Sequence, residues 1–169
     1  MATSGLPKPI SASRIQLAQL MMPEHANSQG NVHGGWIMKL VDEAGGLAST
    51  RHAGQRTVTV AIDRMIFKQP IRIGFLVILT AELTYVEHTS MEVEVQVSAE
   101  DPISGERTPT NAAYLVYVAI DDHGHPTSVP PLFAETPEEQ ARMEAARARQ
   151  TKRLSETSSL PLSPLRKGR

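Results

Sequence analysis

Asp42 is the residue whose chemistry is least expected from its surroundings, because it is a carboxylate within the mainly apolar segment 34–49. Burying a lone charge is costly unless a partner pairs with it or the protein makes use of it. Active sites are one place where such carboxylates are retained. A second interpretation is that Asp42 lies with Lys39 and Glu43 on an exposed stripe and is solvated. Asp42 alone does not decide between the two.

The stretch before this segment could supply the other half of a catalytic site. Asn27, Gly30, Gly34 and Gly35 surround the expected start of a helix, where unpaired backbone N–H groups and the positive end of the helix dipole point outward. Such an end can stabilise a developing oxyanion, and a glycine allows a substrate to come close. An ordinary glycine-rich loop, with Asn27 capping a turn, would have the same composition. The combination with Asp42, and neither feature alone, favours a catalytic site.

The segment 34–49 is long enough for a helix of about four turns. Its apolar residues are spread around the whole helical circumference, which predicts a helix buried on most sides; they are Trp36, Ile37, Met38, Leu40, Val41, Leu47 and Ala48. Gly45 and Gly46 should lower helix stability, so we expect this helix to pack closely against another backbone.

Strand-like runs lie on both sides of this helix. Segment 15–22 predicts a first strand or a short helix, and 57–62 and 91–97 alternate apolar with other residues, which predicts one buried face in each. The longer runs 75–86 and 112–120 are more continuously apolar, as is typical of central strands. The order of strand, helix and four strands predicts an α+β fold. A sheet that curls around the helix leaves one helix side uncovered, and a partner subunit is the simplest cover.

A second helix is predicted near the C-terminus, from Thr136 to about Leu154. Thr136 is its cap, Pro follows at the first helical position, and a Glu can close a capping box. Arg142, Arg149 and Arg153 share one face of this helix. A solvated basic face is the ordinary explanation, and a face that binds phosphate groups is the alternative.

The ends of the chain differ in composition from its middle. Residues 1–13 are rich in Ser, Pro and Gly, and residues 155–169 are rich in Ser and Pro with a basic end. Neither has apolar periodicity, so we expect a flexible N-terminal arm, one domain over 14–154 and a disordered tail.

The overall composition excludes several classes of function. The formal net charge of −1 gives no basic field that would recruit nucleic acid. The chain has no cysteine, which excludes disulfides, a cysteine nucleophile and thiolate metal sites. No segment has the length of a signal peptide core or a membrane span, so we expect a soluble, unprocessed, cytoplasmic protein without nucleic-acid or membrane partners.

The six histidines do not show a metal-binding spacing. His25 and His33 stand on either side of Asn27, but no HxH or HExxH pattern occurs. We therefore predict no metal site.

The turn and the helix together form a long and specific pattern. The sequence PEHANSQGNVHGGWIMKLVDEA, residues 23–44, resembles the signature of the cytosolic acyl-CoA thioester hydrolases of the hotdog superfamily. Further matches are VTVAID at 58–63, FKQPIRIG at 67–74, TSMEV at 89–93, AY at 113–114 with VA at 118–119, and VPPL at 129–132. The resemblance covers roughly residues 15–150.

This resemblance implies a hotdog fold, in which an antiparallel sheet wraps a central helix and two domains join their sheets, with active sites at the interface. It implies hydrolysis of acyl-CoA by a homo-oligomer, a dimer or a trimer of dimers, with no cofactor because coenzyme A is part of the substrate. Asp42 would be the general base or nucleophile. Asn27 of the opposing subunit would position water or the acyl group, and an N–H near Gly34 or Gly35 would polarise the thioester carbonyl.

The same resemblance places the coenzyme A groove near Phe67, Pro70, Thr89 and Ser90, and a charged helix with Arg142 and Arg149 would suit the phosphates of the coenzyme. Two positions depart from the family pattern: Phe75 stands where an acidic residue is usual, and His88 where a glycine is usual. Neither touches the expected catalytic pair, but both could alter the groove or the sheet edge.

Two other functions remain open at this point. A hotdog hydratase or dehydratase acting on acyl-CoA would need an acid/base pair, typically a His with a nearby Asp. A non-catalytic acyl-CoA binding module would keep the groove and lose turnover.

Overall fold

The computed structural model describes residues 5–63 and 65–157. The central helix α1, Gly34–Ala53, is four residues longer than expected and ends at Gly54, whose φ of 68° is left-handed. The second helix α2 is Pro137–Thr157. Thr136 caps it, because its hydroxyl accepts the N–H of Glu139 at 3.2 Å. The last three residues of α2 overlap the start of the predicted tail, whose residues 158–169 lie outside the described part of the chain.

Six strands form one antiparallel sheet, and two short strands form a separate pair. The bounds are β1 Lys8–Pro9, β2 Ile15–Leu20, β3 Thr57–Ile62, β4 Ile66–Phe67, β5 Leu76–Glu87, β6 Ser90–Glu100, β7 Arg107–Ala119 and β8 Leu132–Phe133. The order in the sheet is β2-β5-β6-β7-β3, with β4 also paired to β7. Interruptions of register in the β3–β7, β5–β6 and β6–β7 pairs add to the twist that lets the sheet curl.

The sheet wraps α1 with its inner face. The core consists of apolar side chains from one side of α1, including Ile37, Leu40 and Val41, and from alternate positions of β5, β6 and β7. Helix α2 packs on the outer face of the sheet, where Ala146 is fully buried. This arrangement confirms the predicted α+β class and the helix-in-sheet architecture.

The central helix is less enclosed than expected. One face of α1 is buried, whereas the opposite face leaves Met38 and Leu47 nearly half exposed. The prediction of burial on most sides is therefore wrong for the described chain. The physical reason is that the sheet covers only the face turned toward β5, β6 and β7.

Strand β3 has its predicted bounds, but its predicted buried face is wrong. Val58, Val60 and Ile62 are exposed, while the hydroxyl of Thr59 reaches α1. β3 is the last strand of the sheet, and no described residue covers its apolar side chains.

The segment predicted as a flexible arm contains ordered structure in its described part. β1 pairs in parallel with β8, and a single 3-10 turn at Ile10–Ser13 buries Ile10. The remaining residues, 1–4, lie outside the described residues. The segment 15–22, left open between strand and helix, forms the strand β2 over Ile15–Leu20.

Candidate active site

Asp42 lies on the border between the buried and the exposed face of α1. Its Oδ1 accepts hydrogen bonds from the hydroxyl of Thr59, in β3, at 2.8 Å and from the hydroxyl of Tyr117, in β7, at 3.1 Å. Lys39 and Glu43, which share the exposed stripe, pair with each other at 2.5 Å. The carboxylate is thus neither fully buried nor merely solvated, because two side chains of the sheet hold it in place.

An open cavity of about 510 Å³ borders this carboxylate. Its walls include Leu17 of β2, Leu47 of α1 and the two residues that hold Asp42, Thr59 and Tyr117. Within the described residues no hydrogen bond reaches the second carboxylate oxygen, Oδ2. An acceptor that borders a partly apolar cavity is suited to take a proton from, or to attack, a bound electrophile.

Asn27 lies in a different part of the subunit, in a tight loop that its own side chain closes. Its Oδ1 accepts the backbone N–H of Gln29 at 2.9 Å and of Asn31 at 3.2 Å, and Gly30 completes the loop with a φ of 80°. The side-chain amide donates to no other described residue. Asn27 therefore combines a fixed oxygen with a free N–H₂ group that can donate to a ligand.

The N-terminus of α1 begins beside this loop. The ring nitrogen Nδ1 of His33 accepts the N–H of Gly35 at 2.9 Å, and the N–H groups of Trp36 and Ile37 donate to the carbonyl of His33. Among residues 5–63 and 65–157, the N–H of Gly34 is then the one donor of the first turn without a partner. Gly34 fits the role of an oxyanion donor better than Gly35, whose N–H is already occupied.

A second cavity, of about 240 Å³, connects Asn27, Gly34, Phe67 and Pro70. The Phe67 ring lies so near Gly34 that a Cβ there would be 3.5 Å from it. Four of the predicted site residues are thus brought together. Asp42 does not border this cavity, so within one subunit the predicted catalytic pair lies in two separate places.

Thr89 and Ser90 lie at a different position along the sheet from Phe67. Ser90 pairs with Val118 of β7, whereas Phe67 pairs with Asn111. Seven residues of extended chain separate these positions, or roughly 23 Å. Their proposed contact with the coenzyme remains a prediction.

Arg142 and Arg149 pair with carboxylates of the sheet. Arg142 pairs with Glu82 at 2.5 Å and with Glu94 at 3.2 Å, and Arg149 pairs with Glu92 at 2.7 Å. Burial would lower the pKa of Arg149, but its bonds to Glu92 raise it above the ordinary value. Both arginines neutralise carboxylates of β5 and β6 and hold α2 on the outer face of the sheet. Their contact with the coenzyme remains a prediction. Because of these ion pairs, the interpretation of a merely solvated basic face is wrong.

Arg153 belongs to the same cluster. It pairs with Asp63 at 2.7 Å and also with Glu92. The α2 helix is thereby linked to the end of β3.

His25 and His33 have local structural contacts. His25 accepts the N–H of Met22 at 2.9 Å and stacks on Trp36 with 4.2 Å between ring centroids, while His33 caps α1. Within the described residues no group of three or more His, Asp or Glu side chains is arranged to hold a metal ion. No helix in the same residues has the length and apolar character needed to cross a membrane.

Two residues of this site were not identified from the sequence: Thr59 and Tyr117. Both lie in segments whose apolar residues predict strands. The feature that could have identified them is that each carries a hydroxyl group at a strand position facing α1. That position depends on the pairing of β3 with β7, where Thr59 is opposite Tyr117.

Comparison with known proteins identifies the family. A family model described as "Thioesterase superfamily" matches residues 29–106. A structure of an apo-hexameric acyl-CoA thioesterase superposes with a TM-score of 0.87 and 33% identity, covering 92% of this chain and 99% of that one. The chain belongs to the hotdog-fold acyl-CoA thioester hydrolase family.

Among the sequence relatives in this family, the cytosolic acyl coenzyme A thioester hydrolase of Rattus norvegicus is 36% identical over 146 residues, which is 85% of this chain. The chain spans 38% of the length of that relative.

An acyl-CoA hydrolase of Staphylococcus aureus superposes with a TM-score of 0.80 and 28% identity, covering 90% of this chain and 95% of that one. Its structure is a complex with butyryl coenzyme A, coenzyme A and coenzyme A disulfide. Further structures of that hydrolase carry an alanine in place of an aspartate, an asparagine or a threonine. The replaced asparagine and aspartate are 15 residues apart, and the aspartate and threonine 17. Asn27, Asp42 and Thr59 have the same two separations.

Proposed function

We propose that this chain hydrolyses the thioester of acyl-CoA to a carboxylic acid and free coenzyme A, with Asp42 as general base or nucleophile. The observation that carries the proposal is the Asp42 carboxylate, which Thr59 and Tyr117 hold through Oδ1 beside an open cavity. As a base, Asp42 takes a proton from water, whose oxygen attacks the carbonyl carbon. As a nucleophile, it attacks that carbon itself, and water then cleaves the anhydride. In both routes the thiolate of coenzyme A leaves and takes up a proton.

The carbonyl oxygen gains negative charge in either route, and donors must stabilise it. The free side-chain amide of Asn27 and the free N–H of Gly34 line one cavity, and the dipole of α1 adds a partial positive charge there. Asn27 and Gly34 are the donors we assign to this oxygen or to the attacking water.

Two subunits have to share each site for these groups to meet. Asp42 is seven residues beyond Gly35 on α1, a rise of roughly 10 Å along the helix, and it borders a different cavity from Asn27. A second copy can bring its own Asn27 loop to the Asp42 cavity. The active unit is then at least a dimer, in which Asn27 and Asp42 of one site come from opposite subunits.

The surface of the subunit is compatible with this association. β3 is an edge strand with exposed Val58 and Val60, and Leu47 of α1 is also exposed. An uncovered apolar edge favours pairing with another strand, and two β3 strands can extend the sheets into one. The apo-hexameric relative supports a trimer of such dimers.

Phe67 and Pro70 are the groove residues that the geometry supports for coenzyme A, because they line the cavity that also contains Asn27 and Gly34. The coenzyme is part of the substrate, so the proposed reaction needs no further cofactor. The S. aureus relative, whose structure contains coenzyme A, supports the same substrate class.

The hydratase alternative is less well supported. Among the described residues that line the Asp42 cavity there is no histidine. The acid/base pair that such a reaction needs would therefore lack its usual member.

A panel of saturated acyl-CoAs of increasing chain length tests the proposal. Released coenzyme A is measured with a thiol reagent, and the chain contributes no background because it has no cysteine. We expect thiol release from at least one acyl-CoA, and release slower by on the order of 100-fold or more with Asp42→Asn. Binding of acyl-CoA without thiol release would support a non-catalytic binding module, and loss of an enoyl double bond without thiol release would support a hydratase.

A further inference from the structure

Tyr117 makes two contacts with one residue of the central helix. Its hydroxyl lies 3.0 Å from the main-chain oxygen of Asp42 and 3.1 Å from Oδ1 of the same residue. Only 1% of its surface is exposed. A hydroxyl has a single proton to donate, so it is shared between these two acceptors or alternates between them.

The hydroxyl can reach Asp42 only because α1 has no side chain at Gly45. A Cβ at Gly45 would overlap with the Tyr117 hydroxyl and lie 3.0 Å from two of its ring carbons. The close packing expected at this glycine is confirmed, but its partner is a side chain and not another backbone. A glycine inside a helix costs stability, and here it opens the space that the tyrosine fills.

The carboxylate of Asp42 is held asymmetrically as a result. Oδ1 accepts one hydrogen bond from β3, through Thr59, and one from β7, through Tyr117. No described residue donates to Oδ2. A carboxylate held through one oxygen cannot rotate freely, so its second oxygen has a defined direction.

Tyr117 keeps its proton under ordinary conditions. Burial, and then the neighbouring Asp42 carboxylate, raises the pKa of Tyr117 above its usual value. The group therefore stays a neutral donor to Asp42 and does not compete with it for protons.

We infer that Tyr117 is a positioning residue, which fixes Asp42 through Oδ1 so that Oδ2 is the oxygen presented to the reaction, and that Gly45 provides the space for this contact. The inference rests on the proposed thioesterase function. Tyr117 acts through Asp42 and need not touch the substrate, so its loss should lower kcat more than it changes KM.

The test compares Tyr117→Phe with Tyr114→Phe in the full-length chain, using an acyl-CoA that the wild type hydrolyses. Tyr114 is in the same strand, but its hydroxyl reaches Glu94 on the outer face, at 3.4 Å. For Tyr117→Phe we expect kcat to fall about tenfold, equivalent to about 1.4 kcal/mol, with KM changed by less than about twofold. Tyr114→Phe should keep the wild-type kcat. A folded Tyr117→Phe protein with wild-type kcat would overturn the inference, even if its Tm were lower.

Gly45→Ala provides an independent arm, and it carries the test if Tyr117→Phe does not fold. The added methyl group should displace the hydroxyl and lower kcat to a similar extent. Because both changes break one contact, the double variant should be no slower than the slower single variant. If the decrease in kcat of the double variant equals the product of the two single decreases, Tyr117 and Gly45 do not act through one contact.

Failure of the proposed function gives a different result from failure of this inference. If the wild type releases coenzyme A from no acyl-CoA, the function is wrong, and the carboxylate orientation in a crystal structure of Tyr117→Phe decides the positioning role. A rotated Asp42 carboxylate supports that role, and an unchanged one contradicts it.

Discussion

Thr59 and Asp42 are 17 positions apart in the sequence, and their side chains are joined by a hydrogen bond of 2.8 Å between Oγ1 and Oδ1. This bond links the edge strand β3 to the central helix. It makes the orientation of the proposed catalytic carboxylate depend on the position of a strand whose far side pairs with no other described strand.

Replacement of Thr59 by valine should lower kcat about tenfold, because one orienting hydrogen bond is lost while the volume is kept. Steady-state kinetics with an acyl-CoA substrate measures the effect. Thr57→Val serves as the stability comparison, since the Thr57 hydroxyl bonds Ser49 and Thr50 instead of Asp42. If Thr59→Val turns over at the wild-type rate, the bond has no part in catalysis.

Asp42→Asn should nearly abolish turnover, with a loss on the order of 100-fold or more, because an amide is neither a base nor a nucleophile here. The fold should remain, since the amide oxygen can still accept from Thr59 and Tyr117. Thiol release and the circular dichroism spectrum provide the two measurements. A folded variant with near wild-type kcat would refute the mechanism.

Mixed oligomers test whether two subunits share each site. Asn27→Ala and Asp42→Asn chains, each inactive alone, should regain activity when their subunits exchange. Random pairing restores up to about one quarter of the wild-type sites, because half of the dimers are mixed and each mixed dimer has one complete site of two. Differently tagged chains allow the heterodimers to be purified and assayed. Heterodimers as inactive as both parents would place Asn27 and Asp42 of one site in the same subunit.

His88→Gly should stabilise the fold by about 0.5–1 kcal/mol. His88 has a φ of 45°, and this left-handed conformation costs a residue with a side chain roughly 1–2 kcal/mol. Glycine avoids that cost, but its greater flexibility in the unfolded chain offsets part of the gain. This is the turn between β5 and β6, where the family pattern usually has glycine. Chemical denaturation measures the change. His88→Ala keeps the strain and should show no such gain, so equal stability of the two variants would exclude the conformational explanation.

The stability of the fold should decrease as the pH falls below about 6.5, and His52 is a cause. Burial lowers the pKa of His52 below 6.5, and the hydrogen bond between its Nε2 and the carbonyl of Pro130, at 2.8 Å, offsets this shift only in part. Its buried Nδ1 has no described partner. The unfolded chain then binds a proton at a higher pH than the folded chain. The stabilisation is complete above the pKa of His52 in the unfolded chain. It is lost as the pH falls toward the pKa in the folded chain, and the free energy of unfolding changes by at most about 1.4 kcal/mol per pH unit.

Thermal unfolding between about pH 7.5 and about pH 5.5 checks this, because the range spans the unfolded histidine pKa of about 6.5, below which the stabilisation starts to be lost. His52→Gln should show a smaller decrease in Tm than the wild type. His123→Gln, at an exposed position, should behave like the wild type. If Tm depends on pH in His52→Gln as it does in the wild type, His52 is not the cause of the decrease in stability.

The sequence predicted the main elements because their patterns are local. The helix over 34–49 and the strand Thr57–Ile62 follow from apolar residues within each segment, and both exist at nearly those bounds. The short strands β1, β4 and β8 have two residues each, which is too few for a periodic pattern. β7 begins five residues earlier than predicted and includes Pro109, which lies at the bulge opposite Ser98.

The candidate site was predicted only in part, because local patterns are visible in the sequence and contacts between distant segments are not. Asp42 was identified because a charge in an apolar segment is visible locally. Tyr117 contacts it across 75 positions, and that contact depends on strand register and on the space left by Gly45. The ion pairs of Arg142 and Arg149 were missed for a similar reason, since their partners Glu82 and Glu92 come from strands far away in the sequence.

β7 is linked to both cavities: its Tyr117 lines the Asp42 cavity, and it pairs with Phe67, which lines the Asn27 cavity. It pairs with Phe67 at Asn111 and holds Asp42 through Tyr117. The distance between these points is set by the covalent geometry of an extended chain, at roughly 20 Å for six residues, and not by how tightly the core is packed. Repacking the core leaves this spacing intact. One residue inserted between Asn111 and Tyr117 would lengthen it by about 3 Å and turn the tyrosine to the outer face, away from Asp42.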